Sequence, residues 1–412
     1  MYKETEYCRI CGNTNLVSII DIGVQALTGM FPGSREELVF SGPVELVKCT
    51  GDDFCGLVQL RQSYDVELMY GENYGYRSGL NPSMVAHLTS KVKNILSKKI
   101  LMDGDLVLDI GSNDGTTLGV FPSGRYTLIG VDPSGQKFLD HYPSEVKLVP
   151  DFFSKKNVDE ITNGRKAKVI TSFSMFYDLE DPIAFAKEIE ATLEDDGIWI
   201  FEQSYLPAML RANSFDTICH EHLEFYSLKQ IEWITKKAGL KVLEVEFNNI
   251  NGGSFSITAA KINSSMSPNF EGLEKIREEE LTLGLDGFQI YESFKLRVEE
   301  AKKSLLDFLN KARAENKTVY GLGASTKGNV LLQYFEIDES LVTKIGEVNQ
   351  DKFGKFTPGS LIPIVSEEDL LALNSDYLLV LPWHFRPFFE NLPSLKGRNL
   401  VYPLPKFEIV NQ

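Results

Sequence analysis

From Leu106 to Leu118 the chain passes from a short apolar run, Leu106-Val107-Leu108-Asp109-Ile110, into a turn carrying Gly111 and Gly115. An apolar run of that length reads as a buried strand, and a glycine turn at its carboxyl end leading into a helix is how an open α/β sheet begins. The two glycines permit close approach of the backbone, and a following helix would offer unpaired N–H groups to whatever fills the crevice. The spacing is not G-x-G-x-x-G, so the turn alone is compatible with a dinucleotide site or with an ordinary strand-to-helix connection. The next strand, residues 126–131, ends on Asp132-Pro133-Ser134. That places a carboxylate about 20 residues past the turn, where ribose hydroxyls are usually gripped. Further strands are expected over 168–173 and 197–202, with helices over 83–99 and 181–193.

Upstream, four of the five cysteines form the pairs Cys8-x2-Cys11 and Cys49-x5-Cys55. Two close thiol pairs suit a tetrahedral zinc ion with no open position, hence a structural one. Unligated thiols are the alternative, and disulfides are disfavoured in a reducing compartment. That compartment is the expected one: Met1 to Glu6 lacks the regions of a signal peptide, and no apolar run approaches the roughly 18 residues needed to span a bilayer. We therefore expect a cytoplasmic protein with no membrane partner, a monomer or small homo-oligomer. A formal net charge of -16 argues against nucleic acid as a partner, since phosphate-backbone binding needs a basic face. It leaves room for one anionic ligand held by helix N-termini and local cations such as Arg77, Lys327 or Arg386.

Two of the five histidines lie in Asp216-Thr217-Ile218-Cys219-His220-Glu221-His222-Leu223-Glu224-Phe225-Tyr226. Imidazole exchanges protons near neutrality, and a carboxylate between two imidazoles can orient either of them. Ser227-x-x-Gln230 reads as a capping box opening a helix that runs to Gly239. The histidines are thus expected on a loop, following Glu202, Gln203, Ser204 and Tyr205 at the carboxyl end of a strand.

After long helices over 271–314, residues 318–329 repeat the pattern of strand, glycine turn and helix start, and strands are expected over 341–347, 361–365 and 377–381. A helix start after Gly323, assisted by Lys327, suits a pyrophosphate. The turn is not a Walker A loop. Trp383 is a candidate to stack on a base and His384 to bond a ribose or phosphate, with a buried aromatic corner an equal reading of both.

The order of strands, helices and turns in the central part resembles the class I S-adenosylmethionine-dependent methyltransferases. The resemblance implies that Asp109, Gly111 and Asn113 border the methionyl part, that Asp132 binds ribose, that Asp151, Phe152 and Phe153 flank the adenine, and that Pro133 and Ser174 complete the cofactor site. Nearly the whole chain is similar to the sugar C-methyltransferases acting on nucleotide-linked 4-keto-6-deoxyhexoses. The marks are the four cysteines with Cys55-Gly56-Leu57-Val58-Gln59-Leu60, then Tyr74-Gly75-Tyr76-Arg77-Ser78-Gly79, Ser174-Met175-Phe176-Tyr177-Asp178-Leu179, His220-Glu221-His222 and Asn251-Gly252-Gly253-Ser254. This implies an α/β protein with a zinc-binding domain over 1–70, a Rossmann-like methyltransferase core over 71–265, a helical connector over 266–315, and a C-terminal α/β domain over 316–412 that helps hold the nucleotide sugar.

The implied chemistry suits the residues. A neutral imidazole can remove a hydrogen acidified by an adjacent ketone if the developing enolate is stabilised by hydrogen bonds. His222 is the expected base, with Glu221 orienting a hydroxyl or a histidine, Tyr76 donating to the keto or enolate oxygen, and Arg77 on the substrate. His220 and Glu224 fit either chemistry or loop anchoring. Many relatives carry tyrosine where this chain has Cys219, so the substrate is expected to differ, or Tyr226 to supply the missing hydroxyl. The competing readings are O- or N-methylation of another small metabolite, and a non-catalytic cofactor-binding platform.

Overall fold

A computed structural model describes residues 2–51, 53–65, 69 and 77–412. The N-terminal region holds the strands β1 (Tyr2–Glu4), β2 (Leu16–Ala26), β3 (Ser41–Cys49), β4 (Val58–Leu60) and β5 (Gln62–Tyr64). Helix α1 (Pro82–Ser97) then leads into the core. Asn81 caps it, accepting from the backbone of Ser83 and Met84, and Pro82 stands in the first turn, where its missing N–H costs nothing.

The core comprises β6 (Leu106–Ile110), β7 (Thr127–Val131), β8 (Lys147–Val149), α2 (Lys155–Thr162), β9 (Ala167–Phe173), α3 (Pro182–Thr192), β10 (Leu193–Ser204), α4 (Leu206–Ala212), β11 (Glu224–Phe225), α5 (Leu228–Lys237), β12 (Leu240–Asn248) and β13 (Ser254–Lys261). Seven strands form one sheet in the order β12-β13-β10-β9-β6-β7-β8, parallel except for β13, which runs against both of its neighbours. From β6 the chain winds first to β7 and β8, then returns to β9 on the other side. The loops after β6 and β9 therefore diverge and leave a crevice at their carboxyl ends. Strand β11 does not join this sheet but pairs with β4, completing the N-terminal sheet β11-β4-β3-β2. The segment that follows the histidines is thereby stitched to the cysteine-bearing region.

Helices α6 (Phe270–Leu283) and α7 (Gln289–Ala314) connect to β14 (Val319–Leu322), α8 (Thr326–Tyr334), β15 (Ile345–Glu347), β16 (Ile364–Ser366), β17 (Tyr377–Val380), β18 (Asn399–Tyr402) and β19 (Glu408–Asn411). Their sheet order, β16-β15-β14-β17-β18-β19, puts a second switch point between β14 and β17. The apolar cores of the N-terminal and C-terminal sheets are continuous, Ile20 and Leu46 belonging to the same cluster as Leu305 and Val330.

One expectation fails. The glycine turn after β6 opens no α-helix, only a single 3-10 turn over Leu118–Val120. Asn113 and Gly115 take left-handed backbone (φ +51° and +74°), and the Asp114 carboxylate accepts from both the backbone and the hydroxyl of Thr116. These local bonds satisfy the backbone without a helical ladder. Gly115 is obligatory besides, because a Cβ there would sit 2.8 Å from the Tyr142 ring.

Candidate active site

A cavity of about 360 Å³ occupies the crevice between β6 and β9. Asp109, Gly111, Asn113, Asp132, Pro133, Phe152, Phe153 and Ser174 all line it. Asp151 does not: its carboxylate is exposed and accepts from the backbone of Phe152 and the amide of Asn157, bracing the loop from outside. Asp132 sits at the end of β7 and holds the two turns together, accepting from the Asn113 N–H (2.8 Å) and from the backbone and hydroxyl of Ser134 (2.7 and 2.6 Å). Asp109 is 2% exposed and accepts from the Thr171 hydroxyl at 2.6 Å. Burial, only partly offset by that bond, raises its carboxyl to about 7. Both crevice turns use left-handed backbone at a non-glycine residue, Asn113 and Ser174 (φ +51° and +55°), a conformation that costs a serine roughly 1–2 kcal/mol.

Sequence reasoning missed one side of this cavity. Ser78, just before α1, and Met84 and Leu88 on α1 line its remaining side. Helix α1 is fixed by a buried network: Glu202, 1% exposed on β10, bonds His87 at 2.6 Å, Lys91 at 3.0 Å and the Asn248 amide at 2.8 Å. His87 and Lys91 stand four apart on one helical face, a spacing that is visible in the sequence; that Glu202 faces them is not.

No residue of the histidine loop lines the cavity; the loop packs on Tyr177, the neighbour of the lining residue Asp178. His222 is half-buried, its ring edge-on to Tyr177 at 4.5 Å, and its Nδ1 lies 2.8 Å from the Thr217 carbonyl oxygen. A carbonyl can only accept, so Nδ1 carries the proton and Nε2 keeps its lone pair. Burial pulls the imidazole below its ordinary range, with Glu221 acting in the opposite sense, so the ring is neutral at physiological pH. Glu221 is half-buried and faces the N-terminal region near Gly29.

Several candidates have other partners. His220 is fully buried, its Nε2 donates to the Gln25 carbonyl at 3.1 Å, and its ring packs edge-on against Tyr64 at 4.6 Å. It anchors the loop to the N-terminal region rather than moving a proton. Tyr226 is also fully buried, stacked on Phe176 at 5.5 Å with its hydroxyl directed at Glu224, so it cannot stand in for the hydroxyl missing at Cys219. Glu224 itself lies 3.9 Å from the buried Arg9 guanidinium, in the packing between the core and the N-terminal sheet. Cys219 is 3% exposed, and burial holds its thiol protonated. Arg77 bonds Asp114 at 3.3 Å and His141 at 3.1 Å, on the cofactor turn. Tyr76 lies outside the described residues.

In the C-terminal domain, Gly323 (φ +79°) and Pro382 face each other across the β14–β17 switch point, a Cβ on Gly323 falling 2.7 Å from the proline ring. The Ser325 hydroxyl accepts from the Gly328 N–H and so caps α8 from within. Trp383 is 6% exposed and donates its indole N–H to Asp216 at 2.7 Å, so it offers no face for a base. The Lys327 ammonium donates at 2.6 Å to the carbonyl of Asn251, in the core's Asn-Gly-Gly-Ser turn, rather than pointing to an open phosphate site. His384 is half-buried, and desolvation, aided by Lys327, lowers its imidazole to about 3.

The sulfurs of Cys8, Cys11, Cys49 and Cys55 all lie within 4.8 Å of one another. A tetrahedral zinc with Zn–S bonds of about 2.3 Å needs sulfurs about 3.8 Å apart, so the donor set fits. Hydrogen bonds from Cys55 and Cys8 pull the Cys49 thiol down to about 2, while the same contacts push Cys55 up. A dication relieves that competition by favouring all four thiolates at once. Lys48, caged by the rings of Phe54, Phe288 and Tyr291 at 5.1 to 5.8 Å, lies beside the cluster; burial lowers its pKa, and the Cys49 and Cys55 thiolates oppose that shift.

Comparisons with known proteins agree with this anatomy along the chain. Residues 8–70 match the family model described as "Putative zinc binding domain", 85–245 match "Methyltransferase domain", and 249–405 match "C-methyltransferase C-terminal domain". The C-methyltransferase NovU of Streptomyces niveus is 28% identical over 422 residues, covering 99% of this chain and 98% of that protein. Along nearly its whole length the chain is therefore similar to a C-methyltransferase. A tRNA U34 carboxymethyltransferase of Campylobacter lari is 32% identical over 109 residues, 25% of this chain and 36% of that protein. Among solved structures, an S-adenosylmethionine-dependent methyltransferase from Clostridium acetobutylicum overlaps 42% of this chain and 91% of its own, at 15% identity and a TM-score of 0.33, too slight a likeness to argue from.

The cavity carries hydrogen-bond acceptors and aromatic rings that S-adenosylmethionine would need. Asp132 at the end of β7 suits the ribose hydroxyls of S-adenosylmethionine, Phe152 and Phe153 its adenine, and the buried Asp109 carboxyl its cationic methionyl end. Among the described residues no helix is long and apolar enough to cross a membrane.

Proposed function

We propose that this protein uses S-adenosylmethionine to methylate a carbon next to the ketone of a nucleotide-linked 4-keto-deoxysugar, with His222 as general base. The observation that carries the reading is the Nδ1 bond of His222 to the Thr217 carbonyl, which leaves Nε2 unprotonated on a loop between two switch-point crevices. On one side, Leu223 N–H bonds the Tyr177 carbonyl, tying the loop to the turn after β9 that borders the cofactor cavity. On the other, Asp216 is bonded to Trp383 in the turn after β17.

His222 Nε2 takes the proton, and the C–H electron pair passes into the carbonyl to give an enolate. When bound, the cofactor supplies an electrophilic methyl on a sulfonium, whose sulfur departs with the bonding pair as the new C–C bond forms. Glu221 is placed to orient a sugar hydroxyl from the N-terminal side, and the half-buried His384 contributes a neutral ring on the C-terminal side. The whole-length likeness to NovU supports carbon as the acceptor.

The test is incubation in deuterated buffer with methyl-labelled S-adenosylmethionine and a panel of nucleotide-linked 4-keto-6-deoxyhexoses, followed by NMR and mass spectrometry. Labelled methyl on carbon, with solvent deuterium entering the neighbouring position before transfer, is expected. Label on oxygen or nitrogen, or cofactor binding with every ketosugar returned unlabelled and undeuterated, would overturn the reading.

A further inference from the structure

Two side chains of the C-terminal domain reach the core, Trp383 onto the histidine loop and Lys327 onto the Asn-Gly-Gly-Ser turn. Trp383 reaches Asp216 with its indole N–H, and Lys327 reaches the carbonyl of Asn251. Gly252 lies beside that second contact, its Cβ position 3.9 Å from the Lys327 nitrogen and 3.6 Å from the Ser214 hydroxyl. Lys327, Ser214 and the Asn-Gly-Gly-Ser turn thus meet at one point. Trp383 comes from the turn after β17 and Lys327 from the first turn of α8, at the switch point of the C-terminal sheet, where a ligand-holding role would be the first expectation.

We infer that Lys327 and Trp383 are positioning residues for His222: Trp383 fixes the base's loop through Asp216, and the Lys327 ammonium opposes a second positive charge on the His222 ring. The inference deepens the role proposed for His222 and rests on that reading only for its catalytic consequence. The charged and titratable groups packed about His222 are Glu221, which favours the imidazolium, Lys327, which disfavours it, the Tyr177 ring, and the neighbouring Cys219 and Asp178. Lys327 in turn feels Asp216 and Cys219, which support its charge against burial. Packing of the C-terminal domain against the core therefore does two things together. It fixes the loop, and it keeps the base in the unprotonated form that can accept a proton.

The experiment is a 13C-histidine NMR titration of the full-length zinc-loaded protein, which has five histidines, with His222 assigned by its absence in His222→Gln. In Lys327→Met the His222 midpoint is expected to move up, while Lys327→Arg, which keeps the charge, restores it. With an active substrate in hand, the acid limb of kcat/KM should move the same way, with cofactor KM unchanged. A folded Lys327→Met protein whose His222 midpoint equals that of the parent overturns the electrostatic role. Should Lys327→Met not fold, Lys327→Gln gives the same comparison. Trp383→Phe tests the clamp separately: faster amide hydrogen exchange over 213–222 is expected, and unchanged exchange overturns it. Because the titration needs no substrate, it answers even if no ketosugar is methylated.

Discussion

Asp109 is expected to link cofactor binding to pH. Its carboxyl lies 2% exposed in the cavity wall, and burial raises it from 3.8 to about 7. The folded state therefore holds this proton more tightly than the unfolded chain does. The group's contribution to stability is complete below pH 3.8 and is lost as pH rises through 7, to a total of roughly 4 kcal/mol by the linkage relation. A cationic methionyl group placed against the carboxyl favours ionisation, so binding should release a proton. Taking a midpoint of about 7 and a fully ionised complex, the binding-competent fraction rises from roughly 0.1 at pH 6 to roughly 0.75 at pH 7.5, and affinity should rise about eightfold. Isothermal titration of S-adenosylmethionine in two buffers of different ionisation enthalpy reads both quantities. Proton release should approach one at pH 6 and fall toward zero above pH 8, and Asp109→Asn should abolish it. Affinity flat between pH 6 and 7.5, or proton release unchanged in Asp109→Asn, would refute the assignment of the raised carboxyl to the cofactor site.

Three further outcomes follow from the geometry. His222→Gln should lower kcat by about 10²- to 10⁴-fold with cofactor affinity unchanged by calorimetry, whereas a loss confined to KM would mark His222 as a binding group. Metal analysis should find one zinc per chain, and its removal by a chelator should expose the four thiols to Ellman's reagent and melt the N-terminal sheet, since β3 and β4 flank the cysteines; unchanged circular dichroism after metal loss would contradict a structural clip. Glu202→Ala leaves Lys91 and His87 without their buried acceptor and should cost about 3 kcal/mol in urea unfolding, with weaker cofactor binding through a loosened α1, while a cost under about 1 kcal/mol would mean that water replaces the carboxylate.

The sequence by itself determined most of the cofactor crevice. The apolar run before Gly111, the carboxylate at the end of β7 and the apolar strand before Ser174 are local patterns, written in adjacent residues, and a switch-point crevice follows from their order. The cysteine pairs and the capping box at Ser227 are equally local, and the Ser227 and Gln230 side chains make the reciprocal bonds that their spacing announces. The sequence misjudged the turn after β6 because Asn113, Asp114 and Gly115 supply left-handed backbone and side-chain bonds that compete with a helix.

Tertiary structure alone decided which candidates face the chemistry. His220 and His222 are two positions apart, yet a turn sends one ring to Gln25 and Tyr64 in the N-terminal region and the other to Thr217 and Tyr177. Trp383 reads equally as a base-stacking aromatic and as a buried corner until its indole N–H is found on Asp216, 167 positions away. Composition and spacing record which groups a chain carries. The direction in which a buried polar group points is set by the partner it must find to offset its lost water, and here those partners come from separate domains.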